Sequence, residues 1–119
     1  MKPLSFFKSI SDETRFRILM MIWQEKSLCV CELTTALNGS QPKISRHLAQ
    51  LKQNGLLEDE RQGQWIFYHI SKNLPDWAKS ILKTVSIESR QETFLDSQRL
   101  AQMSSRPNRC CTAKRNNTI

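Results

Sequence analysis

Long hydrophobic runs are missing from this 119-residue chain. No apolar stretch approaches the ~20 residues that a membrane-spanning helix needs, and the first ten residues contain no apolar stretch followed by a cleavage site. The sequence therefore predicts a cytoplasmic protein with no membrane partner. A nucleophile beside its base and a Cys-x-x-Cys pair beside a βαβ unit are also missing, which argues against an enzyme. No internal repeat is present, which excludes solenoids and propellers.

Acidic residues are scarce. The chain has eleven Asp and Glu residues and eighteen Lys and Arg residues, so its net charge is +7. Such a charge suits an anionic partner such as nucleic acid or a membrane surface. Residues 104–119 carry four basic and no acidic side chains and almost no apolar residue before the last position. Such a segment buries too little surface to order itself. We expect a folded domain over residues 1–103 and a disordered basic tail over residues 104–119.

Cysteine is used only four times, in two close pairs, Cys29/Cys31 and Cys110/Cys111. In a reducing compartment such residues are expected as thiols or metal ligands rather than disulfides. Two thiolates at Cys29 and Cys31 suit one soft, thiophilic ion. In a regular helix these side chains would point about 200° apart, so chelation requires non-helical backbone here. The alternative is that both are small buried hydrophobic residues.

Helical periodicity predicts four helices in the first half of the chain. Ser11 or Asp12 caps the second helix, and the Asn38-Gly39 turn joins the third helix to the fourth, a helix-turn-helix pattern. The fourth helix follows Ser40 and ends at Asn54-Gly55. The apolar positions of the four helices are, in order, Leu4, Phe7 and Ile10; Phe16, Leu19, Met20 and Trp23; Leu33, Ala36 and Leu37; and Ile44, Leu48 and Leu51.

The period then changes to two residues, which is typical of strands. It predicts a β-hairpin of residues 57–61 and 65–70 with a turn at Gln62-Gly63. Pro75 opens a last helix with Ile81 and Val85 on its apolar stripe, and the pattern continues toward Met103. The predicted fold is mainly α with a small β-hairpin, a winged helix-turn-helix. The first and last helices carry more apolar surface than one subunit covers, which predicts a homodimer.

The outer face of the fourth helix is polar and basic, as in helices that enter the major groove of DNA. The wing tip is placed to reach a minor groove or phosphates. The alternatives are an ordinary solvated helix face and a plain hairpin loop. His47 lies near the apolar side of the helix and is expected to pack rather than to bind a ligand. The candidate DNA-binding residues are Ser40, Gln41, Lys43, Ser45 and Arg46 on the helix, and Arg61, Gln62 and Gln64 on the wing.

Several segments resemble the ArsR/SmtB family of metal-sensing repressors, and within it the arsenic-responsive branch. They are SDETRFRIL, LCVCEL, SQPKISRHLAQLKQNGLL and QGQWIFYHIS, which span about residues 11–71, and PDWA at residues 75–78. The resemblance implies a homodimer that binds an operator. The two-fold symmetry of a dimer predicts that the operator is an inverted repeat, and no cofactor is expected to be required for DNA binding. It also implies that Cys29 and Cys31 bind As(III) or Sb(III) as the inducer, which releases the DNA.

One position departs from the arsenic-responsive pattern, because Thr34 stands where a third cysteine is expected. A third ligand would then come from water or a buffer thiol, from the Thr34 hydroxyl, or from Cys110 or Cys111. Zinc sensors of the family use His and Asp on the last helix, and this chain has no histidine there, which excludes such a site. A cadmium- or lead-responsive repressor and a thiol-redox-responsive repressor remain alternatives. The cadmium branch is expected to have further thiolates near its N-terminus, and this chain has none there.

Overall fold

Residues 1–103, the part of the chain that the computed structural model describes, form six helices and three strands. Their order is α1 (Pro3–Ile10), α2 (Glu13–Glu25), β1 (Leu28–Cys29), α3 (Val30–Leu37), α4 (Gln41–Gln53), β2 (Leu57–Gln62), β3 (Trp65–Ile70), α5 (Asp76–Glu88) and α6 (Phe94–Ala101). No helix in the described range is long and apolar enough to cross a membrane.

Helix α2 runs through the core, as its wide apolar stripe predicts. The side chains of Ile18, Leu19 and Ile22 are fully buried. The carboxylate of Asp12 accepts the backbone N–H of Arg15 at 3.1 Å, so Asp12 is the N-cap. Other helices and the sheet then pack against this central helix.

The helix-turn-helix is confirmed as α3, a short turn and α4. Asn38 ends α3 with a left-handed backbone, φ 54°, and Gly39 follows it. Helix α4 places Ile44, Leu48 and Leu51 in the core, as predicted. The remaining side of α4 is therefore available to solvent.

The wing consists of the antiparallel strands β2 and β3, whose register runs from Leu57 opposite Ile70 to Gln62 opposite Trp65. The predicted turn at Gln62-Gly63 is wrong by one residue, because Gln62 still pairs and the two-residue turn is residues 63–64. Gly63 has φ 67°, a conformation that glycine adopts without a steric penalty. The winged helix-turn-helix, mainly α with a small antiparallel sheet, is confirmed.

A third strand completes the sheet in the order β1-β3-β2, whereas the sequence predicts only a hairpin. Strand β1 places Leu28 opposite Tyr68 and Cys29 opposite Phe67. Two residues are too few to show an alternating pattern, so periodicity does not reveal this strand. The pairing fixes the chain just before α3.

The predicted continuous last helix is also wrong, since it is divided into α5 and α6. The hydroxyl of Ser89 donates to the Val85 carbonyl at 2.6 Å, and that of Thr93 donates to the Ser89 carbonyl at 3.0 Å. Such local bonds favour the end and bending of a helix. The break lets α6 turn back and pack against α3.

Candidate thiolate site and nucleic-acid interface

Cys29 and Cys31 lie on either side of the boundary between β1 and α3. Cys29 is the N-cap of α3 with extended backbone, φ −94° and ψ 171°, and Cys31 is already helical. Their Sγ atoms are 2.9 Å apart. The backbone is therefore non-helical where chelation requires it, and both sulfurs lie on one side of the chain.

The start of α3 is held by a buried carboxylate that the sequence analysis did not single out. The Glu32 side chain accepts the backbone N–H of Cys29 at 3.0 Å, and Cys29 and Glu32 together form a capping box. A capping box normally begins with Ser or Thr, so a Cys-x-x-Glu sequence gives only a weak signal of it. The bond fixes the backbone from which both thiols project.

Aromatic residues of the wing cover the two thiols. Cys29 is 2% exposed and Phe67 1% exposed, and they form a small cluster with Cys31 and Trp65 packed against it. The cluster follows from the pairing of β1 with β3. The thiols are thus in direct contact with the wing, a connection that the sequence analysis missed.

A groove of about 600 Å³ runs from the two thiols to the surface of α4 and the wing. Three of the predicted DNA-contacting residues, Gln41, Ser45 and Gln64, line it together with Cys29 and Cys31. The structure therefore brings the predicted metalloid ligands and part of the predicted DNA surface into one groove. A ligand held by the sulfurs would lie beside the residues that are expected to meet DNA.

Thr34 lines the same groove on the face of α3 that carries Cys31. Its hydroxyl donates to the Val30 carbonyl at 2.8 Å. Within residues 1–103, no group of three or more His, Cys, Asp or Glu side chains is placed to hold a metal ion. Cys110 and Cys111, the predicted extra ligands, lie outside the described residues.

The predicted DNA-contacting residues lie largely on the surface. Ser40, Gln41, Lys43 and Arg46 are exposed at the start and on the outer side of α4, and Ser45 is half-buried. On the wing, Arg61 and Gln64 are exposed and Gln62 is half-buried. The Arg61 side chain donates from Nε to the Gly63 carbonyl at 3.0 Å, which stabilises the tip of the wing.

Arg15 holds the inner side of α4 against α1 and α2. Its guanidinium donates to the Ser9 carbonyl at 2.6 Å and to Gln50 Oε1 at 3.1 Å, and it lies 3.4 Å from His47 Nδ1. Burial lowers the pKa of His47, so the imidazole is neutral near pH 7 and can accept from Arg15. His47 packs between helices, as predicted.

At the other end of α3, Arg17 pairs with the buried side chain of Asp96 from α6. The hydrogen bond to Asp96 raises the pKa of Arg17 above its ordinary value. The sequence gives no signal for this pair, because the two residues are 79 positions apart.

Residues 12–59 match the family described as "Bacterial regulatory protein, arsR family". The chain is 50% identical over 113 residues to the arsenic resistance transcriptional regulator ArsR2 of Pseudomonas putida, covering 92% of this chain and 97% of that protein. It is also 50% identical over 80 residues to the arsenical resistance operon repressor of Escherichia coli, covering 67% of this chain and 68% of that one.

Solved structures are similar too. HlyU from Vibrio cholerae matches with a TM-score of 0.64 and 29% identity, covering 71% of this chain and 88% of that chain. The AntR antimony-specific transcriptional repressor matches with a TM-score of 0.61 and 25% identity, covering 75% and 79%.

Proposed function

Since the chain belongs to the arsR family of bacterial regulatory proteins, we propose that it is a metalloid-responsive repressor in the cytoplasm. It binds an inverted-repeat operator as a homodimer, and it leaves the DNA when As(III) or Sb(III) binds Cys29 and Cys31. The observation that carries this proposal is the pair of sulfurs 2.9 Å apart, in a groove shared with α4 and the wing. The names of the arsenic-resistance relatives and of the antimony-specific repressor support the choice of inducer.

The DNA contact is assigned to α4 and the wing tip. Gln41, Lys43 and Arg46 present amide and cationic groups that suit base edges and phosphates in a major groove. Ser40 and Ser45 add hydroxyl groups, which also bond to bases or phosphates. In a two-fold dimer, the two α4 helices meet successive major grooves about 34 Å apart, which accounts for an inverted repeat. DNA binding itself needs no cofactor in this scheme.

The inducer step is a ligand exchange at arsenic. Arsenous acid, As(OH)₃, reacts with the thiols of Cys29 and Cys31 to give HO–As(S-Cys)₂ and two molecules of water. The two S–H protons leave with the displaced hydroxides, and no oxidant is needed. Soft thiolate ligands suit this chemistry. The remaining hydroxyl on arsenic is open to exchange with a further thiol, for which Cys110 and Cys111 are the proposed candidates within the chain.

Release of DNA follows from the contacts of the two cysteines. Arsenic bound to both sulfurs replaces their contact with a covalent bridge and enlarges the cluster against Phe67 and Trp65. The change reaches α4 through α3 and the wing through β3. DNA and metalloid therefore bind antagonistically, with a coupling free energy of about 1–3 kcal/mol.

A band-shift experiment tests the function. The purified protein is mixed with its own operon promoter and with scrambled DNA of equal length, alone and with arsenite, antimonite, cadmium or peroxide. We expect preferential binding to the promoter and release by arsenite or antimonite. Equal binding to both DNAs contradicts the repressor assignment, and release only by cadmium contradicts the metalloid assignment.

Thiol oxidation is the second candidate trigger, because the short distance between the two sulfurs also favours a Cys29–Cys31 disulfide. Peroxide would take two electrons and two protons from the thiols and yield two waters. The peroxide arm of the same experiment separates the two triggers. Release by peroxide but not by arsenite favours the redox alternative.

Arg46→Ala should weaken operator binding, because Arg46 is exposed on the outer side of α4. If Arg46 contacts a base, its loss should cost about 1–3 kcal/mol of binding free energy and relax the sequence preference at one base pair. If it contacts a phosphate, its loss should reduce the slope of log K against log salt concentration by about 1. Fluorescence anisotropy across a salt series measures both. Lys83→Ala, an exposed cation on α5, is the matched control and should change neither. If Arg46→Ala binds the operator with wild-type affinity and salt dependence, the proposed contact of α4 with DNA is contradicted.

Deletion of residues 104–119 tests the proposed division into a domain and a basic tail. The deletion removes four positive charges and should reduce the salt dependence of DNA binding, by up to ~0.9 in the logarithmic slope for each phosphate that the tail neutralises. Arsenite should still release the shortened protein. If it does not, and a full-length variant with the four basic tail residues replaced by Gln still responds, the tail cysteines are ligands.

A further inference from the structure

A buried carboxylate joins two arginines at the end of α3 that is remote from the thiols. The side chain of Asp96 is 3% exposed. It accepts two hydrogen bonds from Arg17, at 2.9 and 2.7 Å, and one from Arg99 at 2.7 Å. The bond pair from Arg17 uses both carboxylate oxygens, a geometry that is strong and directional. Asp96 therefore fixes the orientation of both guanidinium groups.

Both arginines continue past Asp96 to the last backbone carbonyls of α3. Arg17 donates from Nη2 to the Leu37 carbonyl at 3.0 Å, and Arg99 donates from Nε to the Ala36 carbonyl at 2.8 Å. Carbonyls in the last turn of a helix lack partners within the helix, and cations are favoured there. The cluster of Arg17, Asp96 and Arg99 thus caps the C-terminal end of α3.

The location of this cap connects it to the DNA surface. Helix α3 has only eight residues and depends on tertiary contacts for its position. Three residues separate its last residue, Leu37, from the first residue of α4. Whatever orients the end of α3 therefore also orients the start of α4, where Gln41 and Lys43 lie.

We propose that Asp96, acting through Arg17 and Arg99, is a positioning residue that stabilises the orientation of α3 and α4 in which the protein binds its operator. The inference rests on the proposed function and adds a residue that itself lies on neither the thiol groove nor the exposed face of α4. Loss of this cap shifts the population away from the DNA-binding orientation. Operator affinity falls with the fraction of competent protein, and metalloid affinity does not.

Asp96→Asn tests the proposal, because asparagine keeps the size of the side chain and removes its charge. Operator affinity should fall about tenfold, which is the scale of losing hydrogen bonds to charged groups. The affinity of the DNA-free protein for arsenite, followed by sulfur-to-arsenic absorbance, should be unchanged or higher. Glu13→Gln is the matched control, because it also removes a carboxylate beside Arg17, at 3.5 Å, but one whose side chain is 85% exposed. This variant should behave as wild type.

The outcomes separate the proposal from a general structural role. Unchanged operator affinity overturns it, and so does a parallel loss of operator and arsenite affinity. If Asp96→Asn does not fold, Arg99→Lys replaces it, since lysine keeps the charge but cannot hold Asp96 and the Ala36 carbonyl in the fixed geometry of a guanidinium. Failure of the wild-type protein to bind the operator would instead contradict the proposed function.

Discussion

Replacing Cys29 or Cys31 by serine should abolish release by arsenite and leave operator affinity nearly unchanged. Neither thiol lies on the exposed face of α4, and Cys29 is buried against Phe67. A single remaining sulfur cannot form the bridge that deforms the start of α3. The coupling free energy of about 1–3 kcal/mol between DNA and arsenite should therefore fall to near zero. Anisotropy titrations of the operator complex, with and without arsenite, measure it.

The serine variants should keep the fold. Cys29 is the N-cap of α3, and serine is among the preferred residues at that position. For the variant that lacks both Cys29 and Cys31, the matched control is the double replacement of Cys110 and Cys111 by serine, which removes two thiols from the tail instead. If arsenite still releases from DNA a protein that lacks both Cys29 and Cys31, the proposed site is wrong, and Cys110 and Cys111 become the candidate ligands.

The structure provides two routes from the thiols to the proposed DNA surface, and sequence reasoning found one of them. Cys31 belongs to α3, whose link to α4 follows from the Asn38-Gly39 turn in the sequence. Cys29 also pairs with Phe67 in β3, which leads to the wing tip. That second route depends on the two-residue strand β1, which pairs with a segment of β3 almost 40 positions further along the chain. No local pattern indicates such a pairing.

Hydrophobic periodicity was sufficient to locate the helices that bury one long face. The stripes of α2 and α4 are regular over thirteen residues each, and both helices lie where predicted. At the thiols, the requirement that one ion contact two sulfurs called for non-helical backbone at the start of α3, and Cys29 has extended backbone there. Helices α5 and α6 are separate, but the helical spacing of apolar residues continues from one into the other. Periodicity alone therefore indicates a single helix.

Asp96 shows what lies beyond such patterns. A lone aspartate in a polar stretch predicts a solvated side chain, whereas in the fold it is buried between two arginines. Arg17 comes from a helix near the start of the chain and meets α6 only after the chain has turned back. The predicted DNA-binding residues stay a prediction, but their largely exposed positions were easier to predict, because all of them lie near the start of one helix or near the tip of one hairpin.

Exchanging Phe7 and Trp77 together for glutamate should convert the proposed dimer into monomers. Phe7 on α1 is 45% exposed and Trp77 on α5 is 37% exposed, and both rings contact the buried ring of Phe6 edge-on. They form one aromatic patch across the two helices, consistent with a subunit interface. Ile81 and Val85, on the predicted stripe, instead pack partly against the core of their own chain. They are therefore poorer test sites.

Loss of the dimer should weaken operator binding by about 10²- to 10⁴-fold, because each half-site would then bind without the effective concentration that linkage provides. Analytical ultracentrifugation and anisotropy measure the two effects on the same samples. The matched control places glutamate at Phe94 and Leu95, two apolar residues of α6 that are 58% and 59% exposed. That variant should remain a dimer, and only its sedimentation is compared, because Leu95 lies beside the cluster of Arg17, Asp96 and Arg99. Monomers from the α6 variant, and dimers from the Phe7 and Trp77 variant, would place the subunit contact on α6.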